Sequence, residues 1–247
     1  MSDDGVFDET IARTYDLDDA AMFAPEVLEP TVDFLAELAG DRRALEFAVG
    51  TGRVALALRA RGVDVAGIEM SRAMVDRMMA KPGAERIPVT IGDMATTRVE
   101  GGFGLVYLVY NTITNLLSQD EQVACFCNAA AHLEVGGHFV IEVFVPALRR
   151  LPMGERLVAF DVSDRHVGVD EYDVVNQRLT SHHYWSGDGR TTVFESPHRY
   201  AWPAEYDLMA RIAGLTLRER WSSWRRAPFT ADSTSHVSVW ERATERH

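Results

Sequence analysis

Apolar runs and amphipathic stretches alternate over the first 145 residues of the chain. Short apolar runs are typical of buried strands, whereas apolar residues three and four positions apart are typical of helices. The pattern predicts five strands, at residues 45–49, 63–68, 87–91, 105–110 and 138–145. It also predicts helices, at residues 30–39, 54–60, 71–79 and 118–132.

Polar side chains follow several of these strands. Strands that alternate with helices form a parallel sheet with helices on both faces, and ligands bind at the carboxyl ends of its strands. Glu46, Glu69, Asp93 and Asn111 each stand at or after the end of an apolar run. We therefore predict an α/β, Rossmann-like, doubly wound sheet with a ligand site at this edge.

The pattern changes after about residue 150. Residues 156–202 are rich in Val, Thr, Tyr, His and Phe with period-two character, and Ser186-Gly187-Asp188-Gly189 is a turn signal. A small antiparallel insertion with a hairpin is predicted here. A helix at residues 203–213 and strands at 215–221 and 236–242 follow.

We expect one domain over residues 1–247, with an antiparallel last strand in its sheet. Its predicted parts are an N-terminal helical cap at 1–40, a cofactor-binding core at 41–148, a substrate-side insertion at 150–202, and a C-terminal helix and strand pair at 203–247. The segment around Tyr15 in the cap is a candidate lid.

A glycine-bearing turn joins the first strand to the next helix. Gly50, Thr51, Gly52 and Arg53 make up this turn, where glycines let a ligand approach the backbone and a helix N-terminus offers free N–H groups. The turn also fits the dinucleotide pattern G-x-G-x-x-G/A, with Glu69 at about the distance expected of a ribose-binding acid. Spacing alone leaves two cofactor classes open.

The segments LEFAVGTGR, GIEMS, IGDM and LEVGGHFVIEVF resemble, in order and spacing, the motifs of class I S-adenosylmethionine-dependent methyltransferases. The resemblance covers roughly residues 40–145. The family pattern E-x-G-x-G-x-G falls on Glu46, Ala48, Gly50 and Gly52, so Ala48 replaces the first glycine. The resemblance implies S-adenosylmethionine as cofactor and S-adenosylhomocysteine as product.

The resemblance also implies roles for individual residues. Gly50 and Gly52 would pass close to the methionine part, and Glu69 would accept hydrogen bonds from the ribose hydroxyls. Asp93 would accept from the adenine amino group, and Met94 would donate its backbone N–H to the ring. The remaining predicted contacts are the purine walls Met70 and Met74, the residues Tyr110 and Asn111 near the sulfonium, and Tyr15 as a cover.

Glu46 favours this cofactor over a dinucleotide. A dinucleotide strand is usually apolar up to its first glycine, and a buried carboxylate there needs a polar partner. The ammonium group of the methionine tail would be that partner. The alternatives are an NAD-type oxidoreductase and a non-catalytic module with the same fold.

The catalytic residues are the least predictable part of the site, because methyl transfer is an in-line displacement that depends mainly on orientation. Candidates for a general base are His182, His183 and His198 of the insertion. The insertion is also rich in aromatic residues, which could orient a planar methyl acceptor. If residues 178–185 form a strand, His182 and His183 point to opposite faces. We expect His132 and His138 to face solvent.

Composition narrows the choice of partners. A formal charge of −12 excludes a nucleic-acid partner on electrostatic grounds, which favours a small-molecule methyl acceptor with a reactive nitrogen or oxygen. The sequence shows no signal peptide and no apolar run long enough to cross a bilayer, which predicts a cytoplasmic protein without membrane contact. Cys125 and Cys127, two positions apart in a predicted helix, indicate no metal site.

Overall fold

A computed structural model describes residues 9–18, 20–187 and 190–243. Residues 188 and 189 of the predicted hairpin turn lie outside this range. The helices are α1 Glu9–Asp18, α2 Pro25–Ala39, α3 Arg53–Ala60, α4 Arg72–Met79, α5 Gln119–His132 and α6 Pro203–Ile212. The strands are β1 Ala44–Phe47, β2 Val65–Glu69, β3 Val89–Ile91, β4 Phe103–Leu108, β5 Leu133–Phe144, β6 Leu157–Val162, β7 His166–Asp173, β8 Arg178–Gly187, β9 Arg190–Arg199, β10 Leu215–Trp221 and β11 Ser235–Arg242.

The main sheet has seven strands in the order β10-β11-β5-β4-β1-β2-β3. Strands β1 to β5 pair in parallel, and β11 runs antiparallel to both β5 and β10. This arrangement confirms the predicted Rossmann-like sheet with an antiparallel last strand. The strand order reverses at β1 and β4, and such a switch point opens a crevice at the carboxyl ends of the strands.

Apolar side chains cover both faces of this sheet. On one face Phe126 of α5 and Tyr206 of α6 pack in a cluster with Phe139 and Trp240 from the strands. On the other face Leu35 of α2 and Leu58 of α3 belong to a second buried cluster. The sheet is therefore held on both sides, which fixes the strand ends that carry the site.

Helix α5 begins with the predicted capping box. The Ser118 side chain accepts the Glu121 backbone N–H, and the Glu121 carboxylate accepts the Ser118 N–H at 2.8 Å. At the other end of α5 the prediction for His132 is wrong, because its ring is buried between Phe47 and Phe103. His132 Nε2 accepts the Val99 N–H at 2.9 Å, so the imidazole joins loop to helix. His138 is half-buried in β5, which also differs from the solvent-facing position expected.

The insertion is a four-stranded antiparallel sheet in the order β6-β7-β8-β9, larger than the hairpin that the turn signal indicated. Its base packs against the core through Tyr172, Leu179 and Tyr200, with Phe144 of β5 beside them. The sheet thus stands over the carboxyl end of β5. No helix in the described part of the chain is long and apolar enough to span a membrane.

Candidate active site

A cavity of about 250 Å³ opens where β1, β2 and β3 end, and we call it the first cavity. It brings together eight residues predicted to bind the cofactor: Tyr15, Ala48, Gly50, Glu69, Met70, Met74, Asp93 and Met94. Its other lining residues, to which the sequence assigned no role, are Gly92, Thr112, Asn115, Leu116, Leu117, Ser196 and Pro197. Ser196 and Pro197 come from the insertion, so their approach depends on tertiary packing that no local pattern encodes.

The turn after β1 adopts left-handed backbone conformations at three alternate positions. Ala48 has φ of 52°, Gly50 of 57° and Gly52 of 80°. Glycine adopts these angles without strain, whereas a residue with a Cβ does so at a cost of about 1–2 kcal/mol. A Cβ on Gly52 would also lie 2.8 Å from Cγ of Met78, so that position has no room for a side chain. Ala48 therefore keeps a backbone angle that is strained for alanine.

Glu69 joins the end of β2 to the glycine turn. One carboxylate oxygen, Oε2, accepts the Gly50 N–H at 2.8 Å, and Oε1 accepts the Ser71 N–H at 2.9 Å. Burial raises the pKa of this carboxyl group, and the backbone N–H groups of Ser71 and Gly50 oppose that rise. Each carboxylate oxygen has a second lone pair. Glu69 lines the first cavity and keeps acceptor capacity there beside its backbone hydrogen bonds.

Asp93 and two methionines form the neighbouring wall of the first cavity. Asp93 Oδ1 accepts the Ala95 N–H at 2.7 Å, which leaves Oδ2 as an acceptor beside the lining residues Gly92 and Met94. Met74 is buried, and Met70 is half-exposed at the rim. A polar acceptor between polarizable thioethers suits a flat heteroaromatic ring with an exocyclic amine.

Four of the residues predicted to bind the cofactor lie outside the first cavity and outside the larger cavity beside it. Glu46 is buried under the turn, where the Tyr107 hydroxyl donates to its Oε2 at 2.8 Å. Burial raises the pKa of Glu46 to about 8, although the Tyr107 hydrogen bond and the charge of Arg53 lower it. Thr51, Gly52 and Arg53 are the other three, and the Arg53 guanidinium lies over the Tyr110 ring at 5.5 Å.

Helix α1 closes the first cavity from the N-terminal side. Asp16 accepts from the Thr51 hydroxyl at 2.5 Å and pairs with the Lys81 ammonium at 2.5 Å. The same ammonium donates to the Thr51 carbonyl oxygen at 2.8 Å. The adjacent side chain, Tyr15, lines the cavity. The α1 segment thus has the position of the lid that the sequence suggested, and it is tied to the glycine turn directly by the Asp16–Thr51 hydrogen bond and indirectly through Lys81.

A second cavity, of about 760 Å³, lies between the carboxyl ends of β4 and β5 and the insertion sheet. It shares Tyr15, Thr112, Asn115 and Ser196 with the first cavity, so the two are contiguous. Its other polar lining residues include Tyr110, Asn111, Thr114, Arg149, Arg150, Asp170, Tyr172, Ser181, His183 and His198. Two connected cavities of different size are suited to a cofactor and a second substrate.

The boundary between the cavities is a strained corner after β4. Tyr110 and Asn111 have φ of 57° and 62°, two consecutive left-handed residues that are not glycine. Glu142 accepts the Tyr110 N–H at 3.0 Å, and the Asn111 side-chain oxygen accepts the Phe144 N–H at 2.8 Å. Such strain persists only where neighbours over-determine the conformation, and it concentrates at functional sites.

Of the three candidate histidines, two face the second cavity. His183 and His198 line it, whereas His182 points to the other face of β8, between Glu171 at 3.3 Å and Glu195 at 3.2 Å. This agrees with the expectation that adjacent strand residues point apart. Burial, with a smaller effect from the charge of His183, lowers the pKa of His198 to about 4.

The tautomer of His198 follows from its partner. The Thr114 hydroxyl donates to the Asn111 carbonyl oxygen at 2.8 Å and lies 3.0 Å from His198 Nδ1. A hydroxyl has one proton to donate, so Thr114 accepts from Nδ1–H. Nε2 of His198 therefore carries a lone pair, which is an acceptor for a substrate N–H or O–H.

Comparison with known proteins shows the family to which the chain belongs. Residues 44–137 match a family model described as a methyltransferase domain. Over 98% of its length the chain is 31% identical to the whole of the cypemycin N-terminal methyltransferase from a Streptomyces species. The chain belongs to the class I S-adenosylmethionine-dependent methyltransferases. This membership rules out the NAD-type oxidoreductase.

Solved structures agree with this family. The CcbJ methyltransferase from Streptomyces caelestis is 36% identical, with a TM-score of 0.86 and coverage of 98% of this chain and 100% of that one. CalS10 from Micromonospora echinaspora, an amino pentose methyltransferase solved with its cofactor, has a TM-score of 0.68 at 20% identity and covers 90% and 96% of the two chains. At 20% identity, the similarity to CalS10 shows the fold alone. The protein is thus a methyltransferase with S-adenosylmethionine as methyl donor.

Proposed function

We propose that S-adenosylmethionine occupies the first cavity, with its ribose on Glu69 and its adenine beside Asp93 and Met94. The acceptor capacity left on Glu69 and on Asp93 Oδ2 supports these two assignments. The methionine end is assigned to the turn of Ala48 and Gly50. When bound, the cofactor supplies a methyl group on a positively charged sulfur, which a neutral nucleophile displaces.

The acceptor in this proposal occupies the second cavity and reacts through an amine nitrogen. The observation that carries it is the His198 imidazole, whose Nδ1–H is committed to Thr114 and whose Nε2 lone pair accepts an N–H. Asp170, in the same cavity, is an acceptor held by the Ser181 hydroxyl at 2.7 Å and offers an amine a second partner. Hydrogen-bond acceptors such as His198 Nε2 and the Asp170 carboxylate hold the N–H groups of the amine. They thereby fix the direction of the nitrogen lone pair.

Protonation energies favour an amine nitrogen over a phenol oxygen. A neutral His198 with a pKa near 4 is a weak base. Taking a proton from a phenol of pKa about 10 would then cost roughly 8 kcal/mol at 1.36 kcal/mol per pKa unit. An amine needs only to be neutral when it attacks, and for an α-amino group of pKa about 8 that costs roughly 1 kcal/mol at pH 7. The site therefore suits an amine of low pKa.

Two further observations support an amine acceptor. The cypemycin methyltransferase, 31% identical, acts by name on an N-terminus. The formal charge of this chain is −12, which attracts a cationic substrate in its ammonium form. A cavity of about 760 Å³ holds a ligand of a few fused or linked rings or a short peptide end.

A panel of acceptors tests this function. Short peptides with a free N-terminus, amino sugars, phenols and carboxylic acids would each be incubated with enzyme and S-adenosylmethionine, and S-adenosylhomocysteine would be measured. We expect turnover with amines and none with the same peptides after N-acetylation. Turnover with phenols or acids and none with any amine would refute the proposal.

A further inference from the structure

A chain of three side chains leads away from the second cavity inside the insertion sheet. His183 Nδ1 lies 3.0 Å from His166 Nε2, and His166 Nδ1 lies 2.5 Å from Asp161 Oδ2. The His166 side chain is 8% exposed, whereas that of Asp161 is 46% exposed. The chain thus runs from the cavity, through a buried imidazole, to a carboxylate at the surface.

Strand pairing creates this alignment. In the register of β7 and β8, His166 lies opposite Trp185 and Gly168 opposite His183, so the two imidazoles are diagonal neighbours on one face. Their rings stack with centroids 5.2 Å apart, and Trp185 stacks on His166 at 3.9 Å. A Cβ on Gly168 would lie 2.3 Å from the Phe160 ring, so the glycine leaves room for that ring beside His183.

The hydrogen bonds set the position of each proton. The Asp161 carboxylate accepts only, so His166 donates its Nδ1–H to it and offers a lone pair at Nε2. His183 then donates its Nδ1–H to that lone pair, which leaves Nε2 of His183 as an acceptor for a ligand in the second cavity. A carboxylate that fixes the tautomer of an imidazole in this way also stabilises its protonated form.

We propose that Asp161 and His166 are positioning residues that let His183 take one proton from the bound ammonium substrate before methyl transfer. The proposal rests on the proposed function. An ammonium nitrogen has no lone pair, so it must lose one proton before it can attack the methyl group. That proton moves to His183 Nε2, the Nδ1 proton of His183 moves to His166 Nε2, and the charge comes to rest on the His166 imidazolium beside Asp161.

The relay resets without any other reactant. When the methylated product has left, water enters the second cavity and takes the proton from His183 Nε2, while the shared proton returns from His166 to His183. Burial and the charges of His166 and His182 lower the pKa of His183. His183 therefore enters each cycle neutral, which a proton acceptor requires.

Replacement of the surface carboxylate tests the relay. Asp161→Asn keeps the size of the side chain and removes its charge. We expect kcat with an amine acceptor to fall about 10- to 100-fold, as for loss of proton-transfer catalysis, while the acceptor KM and the Kd of S-adenosylhomocysteine change less than about 2-fold. Asp161→Glu restores the charge and should recover most of kcat.

A matched control comes from the other face of the sheet. Glu195→Gln makes the same chemical change beside His182, which lines neither cavity. This variant should keep the kcat of the parent enzyme. An equal loss in both variants, or full kcat in Asp161→Asn, would overturn the relay.

The tautomers can be measured on the enzyme without substrate. Nitrogen-15 NMR of labelled histidines should show that His183 is protonated at Nδ1 in the parent enzyme. The His183 signals should change in Asp161→Asn but not in Glu195→Gln. A His183 protonated at Nε2 in the parent enzyme contradicts the relay even if Asp161→Asn fails to fold. If the parent enzyme methylates no amine, the proposed function fails instead, whatever the NMR result.

Discussion

The carboxylate of Glu69 and the backbone N–H of Gly50 form a hydrogen bond of 2.8 Å between two strand ends. This bond ties the end of β2 to the glycine turn after β1, so one side chain supports the cradle and faces the first cavity. Ser71, which caps α4, holds the second oxygen of the same carboxylate at 2.9 Å. The geometry of the cradle thus depends on a residue that we also assign to the ribose.

Substitution of Glu69 should weaken cofactor binding strongly. Each hydrogen bond to a charged acceptor contributes about 1.5–3 kcal/mol, so Glu69→Ala should raise the Kd of S-adenosylhomocysteine by at least about 10-fold in calorimetry. Glu69→Gln keeps one acceptor oxygen and should lose less. An unchanged Kd in Glu69→Ala, with the protein folded, contradicts the assignment of the ribose.

Ala48 is a point of backbone strain that can be relieved. Its φ of 52° costs an alanine about 1–2 kcal/mol, and glycine avoids this cost while losing about 0.5–1 kcal/mol to chain entropy. Ala48→Gly should therefore raise the free energy of unfolding by about 0.5 kcal/mol, and Ala48→Val should lower it by at least about 1 kcal/mol. Urea denaturation measures both, and a stabilising valine would refute the strained turn.

Glu46 should make stability depend on pH. Its pKa is raised from 4.5 to about 8 in the folded protein. Between these pH values the folded chain retains a proton that the unfolded chain has released, so the contribution of Glu46 to stability is greatest below about 4.5 and falls as pH rises towards about 8. The loss is about 5 kcal/mol over this window.

Glu46→Gln removes this dependence, because glutamine can still accept the Tyr107 hydrogen bond. Chemical denaturation at intervals from pH 5 to pH 8 should show the parent enzyme losing stability relative to the variant. Parallel curves would contradict the raised pKa. If the ammonium of the cofactor pairs with Glu46, binding should also release protons near pH 7, which titration in buffers of different ionisation enthalpy detects.

Thr114 fixes the tautomer of His198 and should influence turnover more than cofactor binding. Thr114→Val keeps the shape and removes the hydroxyl that lies 3.0 Å from Nδ1. We expect kcat to fall about 10-fold, because misorientation of the amine affects the transition state, while the Kd of S-adenosylhomocysteine changes by less than about 2-fold. Thr114→Ser, with the hydroxyl kept, is the control. Equal kcat in all three proteins would show that the tautomer is unimportant.

Asp16 should control how long the cofactor stays bound. Asp16→Asn weakens its contacts to Lys81 and Thr51, and partly exposed ion pairs contribute at most about 1 kcal/mol. Stopped-flow measurement should show S-adenosylhomocysteine leaving up to about 5-fold faster. Asp33→Asn, which removes an ion pair with Arg61 away from both cavities, should leave the rate unchanged. A faster rate in both variants would point to a general loss of stability.

Local patterns predicted the strands of the main sheet and many of the residues that line the first cavity. The strands, the Ser118 capping box and the residues at strand ends depend on short-range periodicity and on the parallel pairing that brings those ends together. The sequence showed only that Ala48 replaces a glycine of the family pattern. It did not show that this residue has a left-handed φ. The domain boundaries stay a prediction.

The acceptor side was less predictable, because its contacts join residues on different strands. His166 and Asp161 drew no attention in the sequence, and only the register of β7 against β6 and β8 brings them into line with His183. His132 was misplaced because it lies close in sequence to the glycine pair Gly136 and Gly137, and polar residues that flank such a turn are typical of the surface. In the fold it bonds a backbone N–H of a neighbouring loop.

The most direct test of the account is the position of the transferred methyl group on an acceptor that offers both nucleophiles. Tyrosinamide carries an α-amine and a phenol in one small molecule, and carbon-13 NMR after reaction with methyl-labelled S-adenosylmethionine distinguishes an N-methyl from an O-methyl product. We predict a single N-methyl signal that disappears when the amine is acetylated. An O-methyl signal, with the amine left unmodified, would contradict the assignment of the second cavity to an amine.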